Sequence, residues 1–292
     1  MGSDSIIGKR KRISDCILLA LIYLSAGIAL AILTGILCYV FYKGFRIVNW
    51  TFLTTVTSAL KGTVGILGNI VNTLYIIVLT LLIATPIGVG SAIYLNEYAK
   101  PGKLVSAIEF TTETLSGIPS IIFGLFGMVF FGNTLGLRTS ILTGSFTLTI
   151  MILPLITRNT QEALKTVPDS YRNGALGMGA TKWYMIRTVL LPSAMPGILT
   201  GIILAIGRIV GESAALLFTA GSGRYLPQPG LAGFFRKFTE SSGTLTIELY
   251  LQMQNGKYET AFGIGCVLLV IVLCINFLAK ALAGRFDVQK RK

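Results

Sequence analysis

The chain has 292 residues, 53% of them hydrophobic and only 13% charged, with a mean hydropathy of +0.74 and a net charge of +13. Soluble domains carry about 25% charged residues, so this composition lacks the polar material to cover a water-soluble surface and argues against a soluble enzyme. In a soluble protein the basic excess would point to nucleic acid. In a membrane protein Lys and Arg chiefly set orientation, so the expected surroundings are membrane lipid and no nucleic acid.

At about 20 apolar residues per span, the length predicts an all-α membrane protein of six transmembrane helices. Residues 1–15, with the basic run Lys9, Arg10, Lys11 and Arg12, read as a cytoplasmic N-terminus, and 16–292 as a single membrane domain. The first apolar run, 16–42, is about 27 residues long. The apolar stretch of a cleaved signal is about 7–15 residues, so this run reads as an uncleaved span. The second, 69–94, contains Pro86 and Gly88 and ends in a turn near Pro101. The third, 104–131, starts as an amphipathic helix with Glu109 and Glu113, breaks at Gly117-Ile118-Pro119-Ser120 and continues apolar. The fourth, 141–157, contains Pro154; the fifth is 197–220 and the sixth 261–283. Pro86 and Pro154 read as kinks.

An even number of spans puts both termini on one side. Segments on that side, with Lys280 at the end of the sixth run, hold 16 Lys and Arg against 8 on the other, which predicts N-in and C-in. Cys16, Cys38, Cys266 and Cys274 lie in apolar stretches without a C-x-x-C pair, so neither a disulfide framework nor a zinc site is expected. Histidine is absent, which removes His-based triads and histidine metal ligands; no cofactor is expected.

The segment 158–196 separates the fourth and fifth runs. A short helix reaching Gly177 or Gly179, where glycine permits a left-handed stop, and a second from Thr181 to just before Pro192 would form a protruding knob. Trp183 and Tyr184 suit either a headgroup-lying hairpin or docking to a partner. The string Asn173-Gly174-Ala175, then Gly179, Val189, Leu191 and Pro192, resembles the E-A-A-x3-G-x9-I-x-L-P loop of permease subunits in binding-protein-dependent ABC importers. Glu162-Ala163 lies too far from Gly179 to begin that motif. The usual glutamate is Asn173 here, so Arg172 or Lys182 becomes the charged candidate for ATPase coupling, with Gly174, Ala175, Gly179, Trp183, Leu191 and Pro192.

The likeness extends over about residues 65–221. Asn72-Thr73-Leu74-Tyr75, Tyr94 to Ala99, Ser116 to Leu125 and Gly211 to Ala220 together resemble phosphate-importer permeases of the PstA family. That resemblance implies a type I importer (MetI-like) fold with cytoplasmic coupling helices, a substrate of inorganic phosphate and a heteromeric complex. Its partners would be the sister permease PstC, two copies of the ATPase PstB and the external phosphate-binding protein PstS. No G-x-x-x-x-G-K-[ST] occurs, so the chain reads as a transport subunit rather than an enzyme. The missing motif is equally consistent with a secondary transporter, which would show inverted repeats. A sister-type or other-oxyanion permease is a nearer alternative.

Only Arg208 and Glu212 are charges well inside an unambiguous run. Four residues apart on one helix, their heads would point the same way. They read either as a neutralising packing pair or as a functional site, and an intramembrane ionisable residue favours the second. Gly207 and Gly211 lie beside them, with Gly197, Gly201 and Ala205 a few turns earlier; small residues suit close helix packing or room for a solute. A guanidinium fork on Arg208 suits phosphate, while Glu212 would hold that fork or accept a hydrogen bond from a protonated phosphate oxygen. Arg158 is a second contact by resemblance, or a flanking positive-inside charge. Ser116 and Ser120 flank the third run's break and either line the path or mark a packing kink. The outer segment 222–260, with Arg224, Arg236, Lys237 and Tyr250, would cap the pore and meet the binding protein, or form a solvated loop.

Overall fold

A computed structural model describes residues 13–58 and 63–286. The basic run 9–12 and the last residues 287–292, on which the orientation expectation draws, lie outside them. Five described helices are long and apolar enough to cross a bilayer, or six if the bent pair Lys103–Gly117 and Ser120–Thr134 counts as one span.

Helix α1 (Ile13–Gly44) is apolar on every face and its membrane-length window buries nothing. It meets the last helix at its C-terminal end, where a Cβ on Gly44 would lie 2.3 Å from the Phe262 carbonyl oxygen and where the Tyr39 and Phe262 rings stand edge to face. Short α2 (Trp50–Thr54), capped by the Asn49 side chain, leads into the antiparallel pair β1 (Val56–Ser58) and β2 (Thr63–Ile66). Helix α3 (Leu67–Ile93) continues as a π-helical turn (Tyr94–Tyr98) and runs on through Pro86. Next come α4 (Lys103–Gly117), α5 (Ser120–Gly127) with a π-helical extension (Met128–Thr134), and α6 (Ile141–Lys165). Helices α7 (Asp169–Gly177) and α8 (Lys182–Met185) form the knob. A π-helical turn (Ile186–Leu190) joins α8 to α9 (Leu191–Gly211), after which come α10 (Ala214–Thr219), α11 (Leu231–Arg236), α12 (Leu245–Gln254) and α13 (Tyr258–Phe286).

The core is α6, packed between α3 and α9. Ile76, Ala84, Leu148, Ile152, Ile156 and Ala205 are all within 1% of full burial there. Without a hydrophobic driving force between helices in lipid, this approach depends on small residues. A Cβ on Gly88 of α3 would lie 2.7 Å from Ile156 Cγ2, and one on Gly124 of α5 would lie 2.8 Å from Ala215 Cα. A second cluster, Ala163, Leu164, Met185, Ile186, Leu190 and Ala194, binds the C-terminal end of α6 to α8 and α9.

Three run boundaries change. The fourth helix does not stop at 157: α6 runs to Lys165, because Ala163 and Leu164 bury an apolar face against Met185, Ile186 and Leu190. The knob's second helix does not end before Pro192. It continues without interruption from Lys182 to Gly211, since Pro192 falls in the first turn of α9, where the π-helical turn before it leaves no need of its missing N–H. The third run is no straight span: α4 and α5 meet at 103°. Proline disfavours the α region in the residue before it, and Ile118 is accordingly extended, with φ −74° and ψ 131°.

The α3–α6 seam gives a direct test. Gly88→Leu should lower stability by about 1–3 kcal/mol through overpacking. Gly90→Ala, where a Cβ meets nothing within 4 Å, should be neutral or slightly stabilising. Thermal unfolding of the two variants in detergent checks this, and equal midpoints would contradict the close packing at Gly88.

Candidate functional site

Helix α9 divides its small residues between two tasks. A Cβ on Gly197 would lie 2.6 Å from Ala163 Cβ and one on Gly201 2.7 Å from Asn159 Cβ, so those glycines seat α9 on α6. Around Gly207 and Gly211 nothing lies within 4 Å. Leu204, Gly207, Arg208 and Gly211 follow helical spacing and form an open stripe, with Arg208 exposed on it. Among the described residues Arg208 makes no hydrogen bond or ion pair.

The expected Arg208–Glu212 pair is not formed, because the helix ends between them. Glu212 is extended, with φ −80° and ψ 124°, and 6% exposed. Its Oε1 accepts the Ala215 N–H at 3.1 Å, and its carbonyl accepts the Thr246 hydroxyl at 2.9 Å. The carboxylate therefore caps the N-terminus of α10, where an orphan N–H and the positive end of the helix dipole both favour an anion.

The remaining path candidates lie apart from it. Arg158 is exposed on α6 and borders a cavity of about 310 Å³ with Leu95, Glu109, Glu113, Glu162 and Lys165. Since Asn159 packs on Gly201, Arg158 sits about two helical turns, roughly 10 Å, from Arg208 along α9 on the side of the knob. Ser116 and Ser120 stand on either side of the 103° bend. The Ser116 hydroxyl donates to the Thr112 carbonyl at 2.9 Å, and Ser120 opens α5 half-buried.

The knob is built as the spacing predicts up to Pro192. Gly179 has φ +84°, Ala180 N–H donates to the Ala175 carbonyl at 3.1 Å and Gly179 N–H to Leu176 at 3.0 Å, the paired bonds of a Schellman stop. Thr181 then caps α8 through the Tyr184 N–H. Asn173, Gly174 and Gly179 are exposed, Ala175, Leu191 and Pro192 half-buried. Met178 (91% exposed), Trp183 and Tyr184 project from the tip.

Arg172 faces the other way. Its guanidinium donates to Glu97 Oε1 at 3.2 and 3.3 Å, to the Leu164 and Val167 carbonyls at 2.8 Å and to Asp169 at 3.0 Å. Arg172 is thus committed inside the chain rather than free for an outside partner. Lys182 places Nζ 4.9 Å from the centre of the Tyr98 ring, a cation–π contact. Sequence reasoning missed Glu97 and Tyr98, although the string Tyr94 to Ala99 carried them; read only as part of the family likeness, it gave no hint of a partner 75 residues on.

At the opposite end, the segment after α10 is an ordered cap. Asn69 and Asn72 donate from their amides to the Gly243 carbonyl at 3.0 and 3.2 Å, and Asn72 also to Gly223 at 3.0 Å. Thr73 Oγ accepts the Leu245 N–H, and Arg224 pairs with buried Glu248 at 2.7 Å. Lys237 is fully buried and donates to the Tyr225 carbonyl at 2.7 Å. Burial lowers its ammonium below the ordinary lysine range, against the opposing pull of Glu240.

An apolar helical body, a broken helix beside an open charged stripe and a protruding hairpin continuous with a span together define a membrane permease subunit. The chain belongs to the family of binding-protein-dependent transport system inner membrane components, matched over residues 84–288. It is a multi-pass membrane transport subunit of the ABC importer type and not the ATPase. It is 36% identical to the probable ABC transporter permease protein YqgI of Bacillus subtilis, over 92% of this chain and 95% of that one. It is 30% identical to the phosphate transport system permease protein PstA of Mycobacterium leprae, over 98% and 93%. A chain of the bacterial alginate ABC transporter, solved with its pentasaccharide-bound periplasmic protein, superposes with a TM-score of 0.69 at 18% identity, over 94% and 96%. That likeness establishes the shared fold, the type I importer permease.

Glu212→Ala should lower stability by about 1–3 kcal/mol, the effect of leaving a buried N–H unmet. Glu212→Gln keeps the acceptor and should recover most of it. Unfolding midpoints in detergent decide this; a glutamine variant as unstable as the alanine one would show that charge, not capping, is what α10 requires.

Proposed function

We propose that the chain is the PstA-type permease subunit of an ATP-driven inorganic phosphate importer. Its partners on this reading are a sister permease of the PstC type, two PstB-type ATPases and a PstS-type phosphate-binding protein outside. Curated relatives named for phosphate transport, similar over nearly the whole length, support the substrate. The observation that carries the site is Arg208: an exposed guanidinium without a partner among the described residues, on a helix face kept open by Gly207 and Gly211. A charge within a span is expensive and calls for a counter-charge. A phosphate oxyanion supplies that charge and matches the planar fork with two oxygens. Arg158 forms the inner waypoint, Ser116 and Ser120 offer hydroxyls at the bend, and Glu212 acts through α10 by fixing the break below Arg208.

Coupling follows from continuity. From Lys182 to Arg208 the helix rises about 39 Å, more than the hydrocarbon thickness. An ATPase gripping Met178, Trp183 and Tyr184, near Asn173, Gly174 and Gly179, would therefore move Arg208 directly. The knob lies in the cytoplasm, with both termini on its side, as the basic excess of those segments requires.

In vesicles reconstituted with all partners, phosphate uptake should require ATP. Arg208→Ala should reduce it about tenfold or more, and Arg208→Lys, which keeps charge but loses the fork, by an intermediate factor. Uptake at the wild-type rate by Arg208→Ala, present in the membrane at wild-type amount, would refute the anion contact.

A further inference from the structure

Helix α3 with its π-helical turn, Leu67–Tyr98, touches both ends of the machine. At the inner end, adjacent residues hold the two arms of the knob separately. Glu97, its side chain only 6% exposed, receives two N–H groups of Arg172 on α7, while the ring of Tyr98 lies under Lys182 on α8. Asn96 donates to the same Glu97 oxygen at 2.6 Å and so fixes it.

At the outer end, the first turns of α3 hold the cap at three points. Asn69 and Asn72, both 1% exposed or less, donate to the Gly223 and Gly243 carbonyls, and Thr73 accepts from Leu245. Gly68 touches the cap backbone so closely that a Cβ would lie 1.9 Å from the Arg224 carbonyl oxygen. Between these ends the helix is unbroken over about 44 Å and seated on α6 at Gly88.

We propose that α3 is a transmission rod, with Glu97 and Tyr98 as positioning residues for the knob and Asn69, Asn72 and Thr73 as their counterparts at the cap. This rests on the importer reading above. Displacement of the knob by the ATPase is delivered along α3 to the outer cap, and docking of the external binding protein on the cap is felt at the knob. The α8–α9 helix moves the anion contact; α3 carries the signal between the two docking surfaces. Each end is held by hydrogen bonds or a charged contact to one continuous helix, and coupling requires that this helix have two arrangements which both surfaces bias.

Such coupling is typically worth a factor of about 5 or more. The assembled complex in lipid nanodiscs is tested for stimulation of ATP hydrolysis by phosphate-loaded binding protein. Glu97→Gln, Tyr98→Leu and Asn72→Ala should each reduce the stimulation by about fivefold or more, with the ATPase still co-purifying. Tyr98→Leu, at a side chain 45% exposed, keeps the test valid if the buried Asn72 variant does not fold. Wild-type stimulation in both inner variants overturns the rod. So does loss of the ATPase from the Glu97→Gln complex, which would make that contact a docking support only. The unmutated complex is a separate arm: failure of its ATP-dependent phosphate uptake would sink the importer reading rather than the rod.

Discussion

Within lipid no water meets a backbone N–H or C=O, so wherever a helix stops the chain itself must supply the partner. This constraint governs the two breaks that give the permease its shape. After Gly211 the Glu212 carboxylate takes the Ala215 N–H and its carbonyl takes the Thr246 hydroxyl, so both sides of the break are tied to neighbouring elements. At Pro119 the missing N–H removes one donor, and the Pro119 carbonyl is taken up by Ile122 as α5 begins. Each break sits beside a surface that the packed helices leave open, since a continuous α9 would carry the chain past the point where α10 turns onto α5 and α6.

The same economy applies to charge. Ionisable groups inside the chain are matched: Arg172 with Glu97 and two helix-end carbonyls, Arg224 with Glu248, and Lys237 with Tyr225 and Glu240. Glu212 is matched to a helix terminus rather than to a cation. Arg208 stands apart because its neighbours on α9 are glycine where neighbours elsewhere are acceptors. Unpaired among the described residues, the guanidinium on this face adds nothing to packing within the chain.

Local features were legible in the sequence. The helix count, the left-handed stop at Gly179, the Thr181 cap and the break at Pro119 all follow from residue types acting within a few positions of themselves. What escaped depends on neighbours distant in sequence. Pro192 read as a stop, but buried Ile186 and Leu190 hold the π-helical turn that lets the helix pass it. Arg208 and Glu212 read as one helical face because the i, i+4 rule assumes an unbroken helix, whereas the cap formed by Glu212 is what breaks it. Arg172 looked available to a partner until Glu97, 75 residues earlier, was placed beside it.

The glycines of α9 show why one pattern allowed two readings. Small residues at Gly197 and Gly201 are consumed by contact with α6, while the same residue type at Gly207 and Gly211 meets nothing. Composition alone cannot separate these cases, since a stripe of small residues looks the same whether a helix or a solute fills the space. The distinction lies in helix face: Gly201 lies on the side of α9 that carries buried Ala205 and Ile209, whereas Gly207 and Gly211 lie on the exposed side with Leu204 and Arg208. Gly197 and Gly201 anchor α9 on α6, and Gly207 and Gly211 clear room around its charge. A helix packed on every face could not leave that space, and one packed on none could not transmit a force from the knob.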